Sequence, residues 1–275
     1  MIWYYLFAFL ITQSLALYCT QEHTQQIPIE FFVLIPSYNN EKFYYRNLDS
    51  VINQKCSYPF EVLYINDCST DATGKLVETY VKKHKQEHRV TVQHNKKRVG
   101  LMANTYNGVY QCPDHKIVVI LDGDDFFAHD AVLEFLAAVY SSPTIWMTSG
   151  RFINYPSGTL GGDFSWYPKD LTTMDIRKNA AVPALRSFYA KLFKLIKKQD
   201  LMHEGDFFSM ASDVAWTLPV VEMAAKGHVA FVSNILYAYN IVNPISDFNV
   251  NLQYQQTLDS YIRTKEPYQP LESLF

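Results

Sequence analysis

An apolar run that leads directly into three carboxylates constrains this sequence more than any other feature. Residues 117–121 (IVVIL) are apolar and suited to a strand, and Asp122, Asp124 and Asp125 follow at once. Such a run predicts a strand covered on both faces, as in a parallel sheet, and open sheets bind ligands at the carboxyl ends of their strands. Because like charges this close repel, we expect a divalent cation such as Mg²⁺ or Mn²⁺, with substrate phosphate oxygens among its ligands.

The flanking sequence alternates between predicted strands and predicted helices. Segments rich in apolar and β-branched residues predict strands at 31–35, 60–65 and 90–92, and each segment is followed by a stretch typical of a helix. This alternation predicts an α/β fold, a doubly wound, mostly parallel sheet with helices on both faces. The 275 residues and 48% hydrophobic content suit one catalytic domain, and the net charge of −3 argues against a nucleic-acid partner.

Polar clusters follow three of the predicted strands. Residues 36–39 come after the first strand, residues 66–71 after the second, and residues 122–125 after the fourth. Because the carboxyl ends of parallel strands meet at one edge of a sheet, we expect these clusters to converge. Their convergence indicates a functional site more strongly than an Asp-x-Asp pair alone, since such a pair arises easily by chance.

The same clusters resemble a known family. Residues 32–39 (FVLIPSYN), 65–71 (INDCSTD) and 121–125 (LDGDD) resemble, in this order, the three nucleotide-sugar motifs of family-2 glycosyltransferases with the GT-A fold. The resemblance implies an inverting enzyme that moves a sugar from a nucleotide-sugar donor, expected to be a UDP-sugar, to a hydroxyl-bearing acceptor. The acceptor would be a glycan, a protein or a lipid, and the cofactor would be Mn²⁺ or Mg²⁺.

The resemblance also implies roles for residues in the donor half. Pro36 and Tyr38 would lie against the nucleotide base, and Asp67 would accept a hydrogen bond from the ring N–H of that base, expected to be uracil. Asp122 would contact the ribose and, together with Asp124, hold the metal ion.

One departure from the family pattern concerns the donor diphosphate. The family often carries an Ala-Arg-Asn run after the third strand, and residues 100–108 (GLMANTYNG) lack its arginine. Arg98 is the candidate to contact the diphosphate in its place, and Asp125 is expected beside the metal ligands.

The second half of the chain is expected to supply the acceptor site and a general base. Inverting members of the family carry an acid at a helix start, where it deprotonates the acceptor hydroxyl. Asp213 fits this position best, although Ser212 stands where the family usually has an acidic neighbour. Glu204 and Asp206 are the alternative bases, and the non-catalytic alternative for Asp213 is a helix N-cap.

Four further residues have roles that the sequence leaves open. His228 could complete the metal shell, or it could be a hydrogen-bonded surface histidine. Trp166 could stack on a sugar ring, or it could pack inside its own loop as a structural residue. Cys56 and Cys112 are predicted at the edge of the sheet opposite the acids, and we expect them to pair if the protein is luminal.

Two other functions compete with glycosyl transfer. A haloacid-dehalogenase-like phosphohydrolase also uses an acid pair after an apolar strand, but Phe126 stands where that family has Thr or Val. Three predicted strands also precede the acids here, whereas that family usually places them on its first strand. A non-catalytic carbohydrate- or nucleotide-binding relative would keep the fold without a working base, as the partial match at Asp213 allows.

The N-terminus suggests export or membrane association. Residues 2–18 are uncharged and mostly apolar, and residues 14–16 (SLA) offer small side chains to a signal peptidase. We expect residues 1–17 to be a signal peptide or an anchor, with an ordinary buried segment as the third alternative. A cleaved signal predicts the lumen of the endoplasmic reticulum or Golgi, and an uncleaved segment predicts a membrane-anchored enzyme.

The expected domain organisation follows from these assignments. Residues 28–245 form the GT-A domain, with a nucleotide-sugar-binding half at 28–140 and an acceptor half at 141–245. Residues 246–275 form a C-terminal helical tail.

Overall fold

One mixed sheet organises the part of the chain that the structure describes. The computed structural model describes residues 27–162, 167–180 and 184–275, without the side chains of residues 247 and 248. The strands are β1 (Phe31–Ser37), β2 (Phe60–Asn66), β3 (Val90–His94), β4 (Ile117–Ile120), β5 (Phe126–Phe127), β6 (Met147–Tyr155), β7 (Leu160–Gly161), β8 (Arg186–Tyr189), β9 (Met202–His203), β10 (Asp206–Phe207) and β11 (Val229–Asn240). In the described ranges the sheet has the order β3-β2-β1-β4-β8-β6-β11-β5, with β7 beside β6, whereas β9 and β10 form a separate hairpin.

The helices pack apolar side chains into the core beside the sheet. They are α1 (Tyr44–Ile52), α2 (Thr73–Lys83), α3 (Leu101–Gln111), α4 (Val132–Tyr140), α5 (Ile176–Asn179), α6 (Ala190–Lys194), α7 (Ser212–Met223) and α8 (Asp247–Arg263). In α1, Leu48 and Val51 are fully buried, as is Val77 in α2. Helix α3 crosses β1 so closely that a Cβ atom at Gly108 would lie 2.5 Å from Leu34 Cδ1, which explains the glycine.

The first half of the sheet is parallel, as predicted. Strand β1 lies between β2 and β4, with Ser37 beside Asn66 and Leu34 beside Ile120. This register places the polar segments that follow the three strands next to one another. The predicted convergence of the three clusters at one edge of the sheet is confirmed.

The second half extends the sheet in mixed orientation. Strand β8 runs antiparallel between β4 and β6, so that Arg186 lies beside Ile120 on one side and Ser149 on the other. Strand β11 runs parallel to β6. The end of β11 and the start of β8 therefore reach the edge of the sheet that carries the acids.

The structure corrects the cysteine prediction. Cys56, Cys68 and Cys112 are free thiols, so the predicted bond between Cys56 and Cys112 is wrong. Burial of Cys112 instead raises the pKa of its thiol to about 12, which leaves it protonated.

Two of the sequence predictions concern residues that the structure does not describe, whereas the predicted C-terminal region is described. The proposed signal or anchor at residues 1–17 and the loop residue Trp166 lie outside the described residues. Within the described residues no helix is long and apolar enough to cross a membrane. The C-terminal region contains α8, whose Leu258 and Ile262 are buried against the core.

Candidate active site

A cavity of about 340 Å³ lies at the edge of the sheet where the polar clusters meet. Its walls contain all of the residues that the sequence assigns to the site except Asp67: Pro36, Tyr38, Arg98, Asp122, Asp124 and Asp213. These residues come from four separate segments of the chain. The fold therefore brings together the residues predicted to bind the donor and the residue predicted to act as the base.

The acid loop at residues 122–125 is held by a buried amide. Asn47 Nδ2 donates to the carbonyl oxygens of Asp122 at 2.9 Å and Asp125 at 2.8 Å. A Cβ atom at Gly123 would lie 2.5 Å from Ser37 Oγ, so only glycine fits between the two predicted metal ligands. The position of both carboxylates is thus set by packing against β1 and α1.

Asp125 joins the acid loop to β11. Its Oδ2 accepts a hydrogen bond from the Tyr237 hydroxyl at 2.5 Å, and its Oδ1 accepts one from the Asn240 N–H at 2.7 Å. Burial raises the pKa of the Asp125 carboxyl well above its usual range, and the charges of Asp124 and Asp122 raise it further. Asp125 is only 1% exposed, which makes it a structural link between the two halves of the sheet.

Asp122 and Asp124 have the chemistry of a magnesium or manganese site. Both line the cavity, and Asp124 Oδ2 accepts a hydrogen bond from Asn243 Nδ2 at 2.6 Å. Burial raises the pKa of the Asp124 carboxyl, and a bound cation would lower it by favouring the ionised form. In the described ranges no three His, Cys, Asp or Glu side chains form a metal-binding cluster. Magnesium and manganese are typically held by one or two carboxylates together with substrate phosphates, so the chemistry of Asp122 and Asp124 suits such a cofactor.

His228 does not belong to this site. Its ring stacks on Trp146 with a centroid distance of 3.5 Å, and its Nδ1 lies 2.7 Å from the Thr144 carbonyl oxygen. It precedes β11, whereas Asn240, at the other end of that strand, contacts the acid loop. The possible metal role for His228 is therefore wrong, and the alternative of a hydrogen-bonded histidine is correct.

Tyr38 and Arg98 form the part of the cavity wall predicted to contact the donor. The Arg98 guanidinium lies 4.0 Å from the centre of the Tyr38 ring, and both residues line the cavity together with Pro36. A flat aromatic face beside a cation suits a nucleotide, whose base can stack and whose phosphates are anionic.

Asp67 lies beneath this wall and is 2% exposed. Its carboxylate accepts hydrogen bonds from Asn95 Nδ2 at 2.8 Å and from the N–H groups of Val99 at 2.9 Å and Gly100 at 2.8 Å. In this structure Asp67 therefore fixes the loop that carries Arg98. Its predicted contact with the nucleotide base stays a prediction.

Asp213 lies on the wall formed by the second half of the chain. It sits in the first turn of α7 with its side chain 38% exposed, and its Oδ2 lies 3.2 Å from Arg186 Nη1. The alternative bases, Glu204 and Asp206, are absent from the residues described as lining the cavity. Glu204 is 86% exposed beside His203 in the β9–β10 hairpin. The geometry thus favours Asp213 over both alternatives.

Several residues around the site were missed in the sequence: Asn47, Arg186, Tyr237, Asn243 and Gln255. Asn47 could have been identified from the sequence, because it is a polar residue directly before Leu48 on the apolar face of a predicted helix. Arg186 and Asn243 could not, since strands from distant parts of the chain bring them to the acids.

Comparison with solved structures gives the same fold. Staphylococcus aureus TarS 1–349 in complex with UDP superposes with a TM-score of 0.58 and 21% identity, over 78% of this chain and 61% of that chain. A mannosyltransferase from Pyrobaculum calidifontis in complex with GDP-Man and Mn²⁺ superposes with a TM-score of 0.54 and 19% identity, over 79% and 58%. At these identities the likeness establishes the GT-A fold alone.

Sequence relatives match part of their own length. The teichuronic acid biosynthesis glycosyltransferase TuaG of Bacillus subtilis, itself described as putative, is 27% identical over 154 residues, 56% of this chain and 59% of TuaG. The glycosyltransferase GlyA of Streptococcus pneumoniae is 27% identical over 224 residues, 76% of this chain and 30% of GlyA. This chain thus spans less than two thirds of either relative.

The family assignment rests on the match to a family model. The model of glycosyl transferase family 2 matches residues 32–201, which is more than half of the chain and includes the acid loop and Arg98. This match excludes the haloacid-dehalogenase-like alternative. The chain belongs to glycosyl transferase family 2.

Proposed function

We propose that this protein transfers a sugar from a UDP-sugar to an acceptor hydroxyl with inversion at the anomeric carbon. One observation carries the proposal: Asp122, Asp124, Arg98 and Asp213 line a single cavity in a chain that belongs to glycosyl transferase family 2. The first three suit a metal-bound diphosphate, and Asp213 suits the proton transfer.

The donor is placed by the first half of the chain. Tyr38 and Pro36 would pack against the base and Arg98 would contact the diphosphate, a proposal supported by the position of all three on the cavity wall. Asp122 and Asp124 hold Mn²⁺ or Mg²⁺, which when bound neutralises the charge that develops on the departing nucleotide. TarS was solved with UDP and the Pyrobaculum enzyme with GDP-Man and Mn²⁺, which supports a nucleotide-sugar and a divalent cation here as well.

The acceptor is activated from the second half of the chain. Asp213 removes the proton of the acceptor hydroxyl as that oxygen attacks the anomeric carbon. The nucleotide leaves from the opposite face, so the base and the metal ligands come from different halves of the sheet. Asp122 and Asp124 follow β4, and Asp213 lies in the first turn of α7, in agreement with this division.

A screen of nucleotide-sugars tests the proposal. Purified protein with Mn²⁺ is incubated with UDP- and GDP-sugars, and nucleotide release is measured with and without EDTA. We expect release from one UDP-sugar that EDTA abolishes. Absence of release from every donor, with Mn²⁺ or Mg²⁺, would contradict the proposal and favour a binding protein without transferase activity.

For the N-terminus we propose that residues 1–17 direct the enzyme to a secretory lumen or anchor it in a membrane. The apolar composition of residues 2–18 supports this. Fractionation with N-terminal sequencing distinguishes the two outcomes, and a soluble, unprocessed cytosolic protein would contradict both.

A further inference from the structure

Arg186 is a buried cation on the cavity wall with unused hydrogen-bond donors. Its side chain is only 8% exposed, and it lines the cavity beside Asp213. Nε and Nη1 have no hydrogen-bond partner among the residues that the structure describes. Nη1 does lie 3.2 Å from Asp213 Oδ2, but this ion pair lacks the alignment of a hydrogen bond.

A guanidinium in this setting is suited to an oxyanion. Its N–H donors form a rigid planar fork that matches the oxygens of a phosphate or a carboxylate. Charged donors that are buried without an acceptor are costly, so a native protein that keeps them normally has a reason in its ligands. The Arg186 guanidinium can therefore donate hydrogen bonds to an oxyanion of a substrate.

The backbone holds Arg186 in place. It is the first residue of β8 and pairs with Ile120 of β4 and Ser149 of β6. Its guanidinium also lies 5.3 Å from the centre of the Trp216 ring. A cation held from both sides by the sheet loses little conformational entropy when a ligand binds.

The position of Arg186 points to the acceptor rather than the donor. In the strand order, β4 and its acids lie between the β1–β3 side, which carries Arg98, and β8, which carries Arg186. In the proposed function Arg98, 4.0 Å from the centre of the Tyr38 ring, contacts the donor diphosphate. Arg186 lies beside Asp213, and in an inverting transfer the base acts on the face opposite the leaving diphosphate. A ligand group next to this base belongs to the acceptor.

We propose that Arg186 binds an anionic group of the acceptor, and that the enzyme selects acceptors with a phosphate or carboxylate close to the attacking hydroxyl. The inference rests on the proposed function, because that function makes Asp213 the base.

Matched pairs of small acceptors test the proposal. Binding of ribitol and ribitol 5-phosphate, and of glucose and glucuronic acid, is measured by calorimetry on protein saturated with UDP and Mn²⁺. We expect the anionic member of at least one pair to bind about tenfold tighter or more, as expected for a hydrogen bond to a charged group. Arg186→Gln should remove most of that preference and leave UDP affinity unchanged.

Three further variants separate the possible causes. Arg186→Lys keeps the charge without the fork and should retain part of the preference, which also covers the case that Arg186→Gln does not fold. Lys75→Gln removes an exposed cation from α2 and should change nothing. Arg98→Gln should weaken UDP binding and spare the preference between the paired acceptors.

Two outcomes would overturn the inference. The first is a wild-type protein that distinguishes neither pair. The second is an Arg186 variant that loses UDP affinity as strongly as the Arg98 variant, which would make Arg186 a donor ligand. Nucleotide release from a donor without any acceptor preference removes this inference alone, whereas absence of release from every donor removes the proposed function.

Discussion

Replacement of Asn47 by alanine should weaken both the fold and metal binding. Asn47 is fully buried, and its amide donates to the carbonyl oxygens of Asp122 and Asp125. The Asp122 carbonyl keeps a second partner, the Asp125 N–H at 3.0 Å, so loss of the amide costs about 1 kcal/mol there. For the buried Asp125 carbonyl we expect a cost of about 1–3 kcal/mol, the penalty of an unsatisfied acceptor. The free energy of unfolding should fall by about 2–4 kcal/mol.

The matched control is Asn53→Ala, just beyond the end of the same helix. Asn53 Nδ2 donates to Asp49 Oδ1 at 3.0 Å at an exposed position, so its loss should cost less than about 0.5 kcal/mol. Urea denaturation of both variants and of the wild type measures the difference.

The same variant should also need more Mn²⁺. Asn47 holds the backbone at both ends of the acid loop, and a looser loop places Asp122 and Asp124 less accurately around the ion. Titration of Mn²⁺ against nucleotide release should give a half-saturating concentration about tenfold or more above that of the wild type. Equal stability of the two variants, or an unchanged Mn²⁺ requirement in Asn47→Ala, would refute this account of the acid loop.

Three other predictions test the site and the core. Asp124→Asn should cut nucleotide release by at least about a hundredfold with the fold intact, because an amide cannot supply the lost charge; full activity of this variant, or of the wild type in EDTA, contradicts the metal assignment. Asp213→Asn should lower kcat by about a hundredfold or more and leave UDP affinity unchanged, while a loss confined to UDP binding would move the base elsewhere. Iodoacetamide at about pH 8 should label Cys68 in the native protein and spare Cys112 until unfolding, because burial raises the pKa of the Cys112 thiol to about 12; mass spectrometry of the peptides decides this.

The donor half could be predicted because its signals are local. Continuous apolar runs mark β1 and β4, a mostly apolar segment marks β2, and each polar cluster directly follows its strand. The rule that parallel strands end at one edge then brings the clusters together without further information. Tyr38, Arg98, Asp122 and Asp124 all reach the cavity for this reason.

The acceptor half could be predicted only in part because its geometry depends on distant pairing. Strand β8 is four residues long and runs antiparallel between β4 and β6, an arrangement that no local pattern indicates. Asn243 reaches Asp124 across 119 residues of sequence, because β11 ends beside the acid loop. The buried role of Asp67 was missed for a similar reason, since its partners lie in the loop before α3.

The pairing of the two halves of the sheet also explains why the three carboxylates of the acid loop have different roles. All three acids line the cavity, but Asp125 is only 1% exposed and accepts hydrogen bonds from Tyr237 and Asn240 of β11. Asp125 therefore links the acid loop to β11 through hydrogen bonds. Loss of the Asp125 carboxylate would free the loop at one end while Asn47 still held its backbone. The acid loop and the second half of the sheet are thus connected through the Asp125 carboxylate.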